Sequence, residues 1–260
     1  MSVFQYIVTS RYGHTLVLTL NRPEVLNALH SAAHFECHTA LDAFAADSLL
    51  RVAIITGAGD RAFCAGNDMK HHAAGGSLEM PPTGFAGLTS RFDLNKPIIA
   101  AVNGLALGGG FEIALASDII VASANAKFGL PEPKVGLGAL AGGLHRLPRA
   151  IGMKRAMAMI LTARSVSAEE GRELGFVHQV TPEGGALDAA FHIARQIEQC
   201  SPVAIRAAKE TVSRGWDLAL PEALREQWTW PAVNAMRGSP DAKEGPRAFA
   251  EKRAPKWSDD

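Results

Sequence analysis

An α/β fold with a helical C-terminal third is predicted by three features of the sequence. Two alternating segments flank a turn at the N-terminus, strand-like and helix-like patterns alternate through residues 52–122, and helical periodicity takes over after Gly142. In order, Val3 to Thr9 and Thr15 to Leu20 alternate apolar and polar residues around Arg11-Tyr12-Gly13, the signature of an antiparallel hairpin. From Ser31, read as a cap, Ala33, Cys37, Ala40, Leu41 and Phe44 recur at helical spacing and give one buried stripe. Val52 to Thr56 is an unbroken apolar run, as expected of a strand covered on both faces. Pro97 to Val102, Gly109 to Ser117 and Asp118 to Ala122 then read strand, helix, strand, which implies parallel pairing through a right-handed crossover. Helices follow at about 142–161, 168–174, 186–199, 202–214, 220–237 and 241–253. Ser167-Ala168-Glu169-Glu170 forms a capping box and Gly175 closes that helix. Residues 71–90 carry His71-His72, Gly75-Gly76 and Pro81-Pro82 without periodicity and read as a mobile loop or lid, its histidines exposed.

Composition narrows the function classes. At 260 residues the chain can bury roughly three quarters of its unfolded surface, so its core needs no disulfide or metal. Its 26 basic and 26 acidic residues are scattered, which gives nucleic acid no basic stripe to bind. The longest apolar runs fall well short of the ~20 residues of a membrane span. Met1 to Ser10 reads as a strand rather than a signal peptide, and three unpaired cysteines suit a reducing compartment, so the expected location is the cytoplasm.

Several motifs fail for want of context. Gly57-Ala58-Gly59-Asp60-Arg61-Ala62 has the form G-x-G-x-x-A, but Phe63 to Asp68 reads as a loop where a dinucleotide site needs a helix. His30, His34 and His38 share a helix face, yet a rise of ~1.5 Å per residue sets the outer two about 12 Å apart. With no third ligand in view they read as a solvated face, and no metal site is expected. No G-x-S-x-G elbow is present. Cys64, with no partner histidine, reads as a small space-filler.

Three segments combine more productively. Arg61 to Lys70 places small residues and Gly66 just after a buried strand, where backbone N–H groups are open to a close-approaching ligand. Asn103 to Glu112 puts Gly108-Gly109-Gly110 at a helix start, where bare amides stabilise negative charge, with Glu112 in the first turn. Lys127 to Glu132 supplies a second carboxylate in an apolar setting. Each segment alone has an ordinary structural explanation; their combination points to a reaction site.

On these segments the chain resembles the crotonase superfamily, the enoyl-CoA hydratase/isomerase family. The likeness extends from Asn21-Arg22-Pro23-Glu24 and Asn27-Ala28-Leu29 to Ala248-Phe249-Ala250-Glu251-Lys252-Arg253, and is most specific at Phe63–Asp68, Asn103–Glu112 and Phe128–Glu132. The resemblance implies a ββα spiral core over residues 1–200 carrying an acyl-CoA site, and a C-terminal helical trimerisation region over 201–260. It implies that Asn67 and Gly109 donate backbone N–H groups to a thioester oxyanion, and that Glu112 and Glu132 handle water and protons. Both glutamates together favour addition of water to a 2-enoyl-CoA, or its removal, because isomerases of the family often keep one. Ala62, Phe63, Cys64 and Ala65 are expected to border the adenine, Asp68 to support their loop, and Leu140 to line the acyl pocket. Arg22, Lys252 and Arg253 are candidates to meet the phosphates, with solvated surface charge the equal alternative.

Coenzyme A is expected only as the substrate's carrier, with no further cofactor. Phe249 and Lys252 are expected to complete a neighbouring subunit's site in a homotrimer or a hexamer of paired trimers, with Trp228, Trp230, Val233 and Met236 at the interface. After Glu132 the sequence departs from the commonest hydratase pattern. Gly136 to Leu147 lacks the proline of that loop and has Leu144-His145 for a Thr-Gln pair, so the acyl group need not be a straight chain. Isomerase, carnitinyl-CoA-type dehydratase and hydroxycinnamoyl-CoA hydratase-lyase chemistry stay open, although the only tyrosines, Tyr6 and Tyr12, offer no counterpart to the last group's C-terminal tyrosine. A non-catalytic acyl-CoA-binding homologue is the alternative from another class.

Overall fold

The structure is a computed structural model that describes residues 4–258. Its main sheet has six strands: β1 (Ile7–Tyr12), β2 (Thr15–Leu20), β3 (Val52–Gly57), β5 (Ile98–Val102), β7 (Ile119–Ser123) and β10 (Gln179–Thr181), lying in that order. β1 and β2 form the expected antiparallel hairpin, and every later pairing is parallel. The hairpin starts later than the sequence suggests, at Ile7, and residues 1–3 of the expected strand lie outside the described residues.

The unbroken apolar runs follow from burial on both faces. Val52, Ile54, Ile99, Ala101 and Val121 pack under Ala186, Ala190, Ile193 and Ala194 of helix α7 (Ala186–Glu198). The alternate residues Ala53, Ile55, Ile98, Ala100 and Val102 point into the larger core beneath helix α1 (Ser31–Ala46).

A second, smaller sheet was not legible in the sequence. It is made of β4 (Ala62–Cys64), β6 (Leu105–Leu107), β8 (Lys127–Gly129) and β9 (Ser165–Ser167), in that order. β4, β6 and β8 run parallel, so the chain leaves all three at the same end of the sheet. The run from Phe63, read as loop, therefore begins with a strand. Phe111, Phe128 and Phe176 close against one another at centroid distances of 5.1 to 5.3 Å and seat helix α3 (Gly109–Ala116) on β8.

Residues 71–90 correct another expectation. After the short α2 (Met69–Ala73) the segment is exposed, and His71 and His72 with it, but its second half is core. Phe85, Ala86 and Leu88 are buried, the Phe85 N–H donates to Thr89 Oγ1 at 2.9 Å, and Arg146 Nη2 donates to the Thr89 carbonyl at 2.8 Å. That enclosed second half is a structural wall, not a lid. The same segment overturns the solvated-face reading of the α1 histidines. His34 is 1% exposed because Phe85 and Ala86 cover it, and His30, not Ser31, caps the helix through Nδ1, which accepts from the Ala33 N–H at 3.3 Å.

The remaining helices are α4 (Gly143–Ile151), α5 (Met153–Thr162), α6 (Ala168–Leu174), α8 (Pro202–Gly215), α9 (Leu220–Glu226), α10 (Pro231–Gly238) and α11 (Asp241–Ala250). Gly152 divides the expected 142–161 helix, and a 3-10 turn at Gln227–Thr229 with Pro231 beyond it divides the 220–237 one. Ser167 Oγ accepts from the Glu170 N–H at 3.1 Å as the capping box predicts, but the Glu170 carboxylate pairs with Arg164 instead of turning back. Trp230 and Val233 are buried against Ala207 of the same chain. Of the four residues expected at an interface, Trp228 is the one left exposed, as are Trp216, Leu220 and Leu224 elsewhere in the same helical region. No helix among the described residues is long and apolar enough to cross a membrane.

Candidate active site

The three segments singled out in the sequence meet at the end of the small sheet. Chain leaving β4 forms Ala65–Asp68, chain leaving β6 forms Gly108 and the start of α3, and chain leaving β8 forms Leu130–Glu132. The Gly108 N–H donates to the Gly129 carbonyl at 2.9 Å, which fastens the second segment to the third. The first is fastened to the residues before α1, where the Leu29 N–H donates to the Gly66 carbonyl and the Asp68 N–H to the Leu29 carbonyl, each at 2.8 Å. Among the described residues, neither the Asn67 N–H nor the Gly109 N–H donates to another group.

Two glycines make their proximity possible. Gly66 has a φ of +95°, and a methyl placed on it would lie 2.9 Å from the Leu107 carbonyl oxygen and 3.1 Å from the Gly109 nitrogen. Gly108 has a φ of +54°, and a methyl there would lie 2.7 Å from Glu132 Oε1. L-residues rarely adopt such backbone angles, and here the side chain has no room either. The amide-bearing turns and the Glu132 carboxyl are thus packed around one point. The N-terminus of α3 has no side-chain cap, so its amides and dipole are presented there bare.

Both carboxyls, Glu112 buried and Glu132 half-buried, are desolvated in ways that favour the protonated form. Glu112 is 3% exposed, and Oε1 accepts from the Gly143 N–H at 2.8 Å. Burial pushes its pKa up to about 7; the Gly143 hydrogen bond opposes this, and the Glu132 carboxylate adds to it. Glu132 is also raised, by burial, and its Oε2 is enclosed without a hydrogen-bond partner among the described residues. A buried carboxyl oxygen without a partner is costly in a structural residue and common where a substrate supplies the missing group.

A stability consequence follows for Glu112. Its pKa when folded, about 7, exceeds the ordinary 4.5, so the folded chain holds this proton more tightly than the unfolded one. Its contribution is complete below the ordinary value and is lost as pH rises through about 7. Gln keeps an acceptor for Gly143 without the charge, so Glu112→Gln is expected to stabilise the chain at pH 8 by up to roughly 3 kcal/mol and to leave it unchanged near pH 4. Denaturant unfolding at the two pH values checks this; an equal stability change at both would contradict the assigned burial.

The other predicted residues divide into those near this point and those away from it. Ala62, Phe63 and Cys64 are fully buried in β4, and burial raises the Cys64 thiol to about 12, so it is no nucleophile; Ala65 is the first residue of that run to reach the surface. Asp68 pairs with Arg22 Nη2 at 2.9 Å and accepts from the His71 N–H at 3.1 Å. Burial opposes its ionisation, but these partners outweigh it and hold the carboxyl below its ordinary value. Arg22, expected to meet phosphate, has its other terminal nitrogen on the Ala28 carbonyl and sits 5.7 Å from the Tyr6 ring centroid. Its visible role is to hold the Asn67 turn. Leu140 is 82% exposed in the loop before α4.

Phe249 and Lys252 are exposed at the end of α11. The start of that helix is tied to Ser201 through Asp241, and the chain beyond it to Gln199 through Trp257, rather than to the carboxyls. Sequence reasoning missed Gly143, which fixes Glu112, and Phe85, whose ring fills the space a methyl on Gly109 would need. The double glycine at 142–143 was a usable signal, whereas Phe85 stood in a stretch without periodicity.

A small sheet delivering two unpaired amides, one buried glutamate and one half-buried glutamate to one point defines a crotonase-type enzyme. The chain belongs to the enoyl-CoA hydratase/isomerase family, whose sequence profile matches residues 11–260. Among curated relatives it is 44% identical to the carnitinyl-CoA dehydratase of Salmonella arizonae and 43% identical to that of Salmonella typhi, each match covering 95% of this chain and 96% of the relative. Among solved structures, the enoyl-CoA hydratase from Mycobacterium tuberculosis H37Rv superposes with a TM-score of 0.92 at 40% identity, covering 98% of this chain and 99% of that one. The enoyl-CoA hydratase from Bacillus anthracis superposes at 0.89 with 36% identity, covering 98% and 100%.

Proposed function

We propose that this enzyme is a hydro-lyase that adds water to, or removes it from, the C2–C3 bond of an acyl-CoA thioester. The observation that carries the reading is the enclosed pair Glu112 and Glu132 beside two amides that have no partner of their own. Isomerisation by proton shuttling needs one such group, whereas moving water needs two. In the dehydration direction one carboxylate removes the C2 proton of a 3-hydroxyacyl thioester. The charge then passes to the thioester oxygen, where the Asn67 and Gly109 N–H groups receive it, each such donor contributing ~2.7 to 4 kcal/mol. The second carboxyl, protonated, gives its proton to the C3 hydroxyl, which departs as water while the C2–C3 double bond forms. Hydration is the reverse.

Glu132, against Gly108 and with a free Oε2, is assigned to C2. Glu112, anchored by Gly143, is assigned to the water at C3. Coenzyme A enters as the carrier, with Ala65 and the turn after it at the surface it would follow.

The names of the curated relatives favour carnitinyl-CoA as the acyl substrate, and the departures between Gly136 and Leu147 support a pocket other than that for a straight chain. Assembly as a homotrimer or paired trimers, through the 201–260 helices, is part of the proposal. The exposed Trp216, Leu220, Leu224 and Trp228 supply its apolar surface, and Phe249 and Lys252 are free to reach a neighbour's site. The test is product analysis with carnitinyl-CoA, 3-hydroxybutyryl-CoA, crotonyl-CoA and 3-butenoyl-CoA, with the mass of the assembly measured by light scattering. Water loss from carnitinyl-CoA faster than from 3-hydroxybutyryl-CoA is expected. Conversion of 3-butenoyl-CoA to crotonyl-CoA without hydration would replace this reading with an isomerase.

A further inference from the structure

His34 takes no part in the chemistry above, yet it is almost completely buried next to it. Its Nδ1 accepts from the Ala86 N–H at 3.1 Å, which leaves Nε2 carrying the ring proton. The ring meets Phe85 edge-on at a centroid distance of 4.3 Å. The Phe85 ring in turn occupies the space over Gly109 that a methyl would claim. The Asn67 side chain also lies within reach of the same imidazole. One side chain on α1 therefore touches both turns that bear the unpartnered amides, one directly and one through Phe85. The 84–88 segment cannot drift from α1, because Gly87 packs directly on the His38 backbone.

We propose that His34 is a positioning residue of the two-amide site: clamped between Ala86, Phe85 and Asn67, it sets the separation of the Asn67 and Gly109 N–H groups. The inference rests on the hydro-lyase reading above and adds a residue to it. Burial, opposed by the Asn67 contact, lowers the pKa of His34 to about 4, so the ring stays neutral and keeps this hydrogen-bond pattern near neutral pH. A misplaced amide weakens transition-state stabilisation more than substrate binding, so the signature lies in kcat and not in KM.

The experiment measures kcat, KM and thermal midpoint for His34→Leu, Phe85→Leu and the double variant. Alongside these, the fraction of bound acetoacetyl-CoA present as enolate is read by ultraviolet difference absorbance, which reports on oxyanion stabilisation whether or not turnover follows. Expected is a kcat about tenfold lower in each single variant with KM nearly unchanged, a part of the ~10²–10³ loss typical of removing one donor. The enolate fraction should fall in step. The double variant should lose little more than either single one, because both act through one contact chain.

If His34→Leu does not fold, His34→Asn keeps an acceptor for Ala86 while removing the ring from Phe85, and the same loss of kcat and enolate is expected. Unchanged kcat and enolate fraction in the folded variants, or additive losses in the double, would overturn the proposal. An unsubstituted enzyme that binds acetoacetyl-CoA but neither forms enolate nor turns over any acyl-CoA would overturn the hydro-lyase reading instead.

Discussion

Glu132→Gln is expected to lower turnover at least ~100-fold while leaving acyl-CoA affinity within a fewfold of its starting value, and Glu112→Gln to do the same. Glutamine keeps the shape of each side chain and, at position 112, an acceptor for the Gly143 N–H, so the pocket should persist. What is lost is the capacity to take and release a proton. The two losses should combine less than multiplicatively, because once one proton cannot move the other has no step to assist. Steady-state kinetics with isothermal titration of a non-reacting saturated acyl-CoA separates the terms. Either variant retaining full turnover would remove that glutamate from the reaction. The stabilisation expected of Glu112→Gln at pH 8 runs opposite to its loss of activity, the pattern of a group whose burial serves the reaction at the expense of the fold.

Gly66→Ala is expected to cost ~10²–10³ in kcat, comparable to deleting one oxyanion donor, although it removes no hydrogen-bonding group. The added methyl would be driven between the Leu107 carbonyl and the Gly109 nitrogen, and the φ of +95° is unfavourable for alanine. The turn must open, and the Asn67 N–H moves with it. The Leu29 hydrogen bonds on both sides of Asn67 should keep the segment in place, so the fold survives with a modest fall in thermal midpoint. Ala65→Gly, one residue earlier and partly exposed, is the control that alters the same turn without crowding the amides, and it should keep kcat within a fewfold. Equal kcat for Gly66→Ala and the unsubstituted enzyme would show that the two amides do not act together.

The extent to which the sequence announced this arrangement can be traced to particular residues. Strands β3, β5 and β7 were legible because each is a five- or six-residue apolar run, and α7 because its alternation at 3.6 residues extends over three turns. The small sheet was not, because three residues such as Leu105-Ala106-Leu107 are too few to display a period. Glu112 and Glu132 stood out as carboxylates in apolar surroundings, but nothing in their spacing says that they meet; the parallel pairing of β6 with β8 brings them together. His34 was misread for a related reason. His34 stands at the edge of the buried stripe, in line with Cys37 and Leu41, and the width of that stripe is decided by Phe85 and Ala86, the latter 52 positions away, in a stretch with no pattern of its own. Local signals reveal elements, and long-range contacts decide which of their faces stay wet.

On the proposed reading, the oxyanion is met by main-chain atoms at the ends of the small sheet's parallel strands, while Val135, Leu137 and Leu140, all exposed, project from the 3-10 turn that begins at Glu132 and the chain after it, which contributes no strand to either sheet. That segment is nevertheless tied to the carboxyls, because the Leu137 N–H donates to the Glu132 carbonyl at 3.0 Å and the Ala141 backbone bonds to the Glu112 carboxyl. Exchange of the whole 135–142 loop between relatives should therefore change acyl choice and turnover together, whereas substitution of the exposed Leu137 and Leu140 side chains alone should retune which acyl groups are accepted with both carboxyls still held.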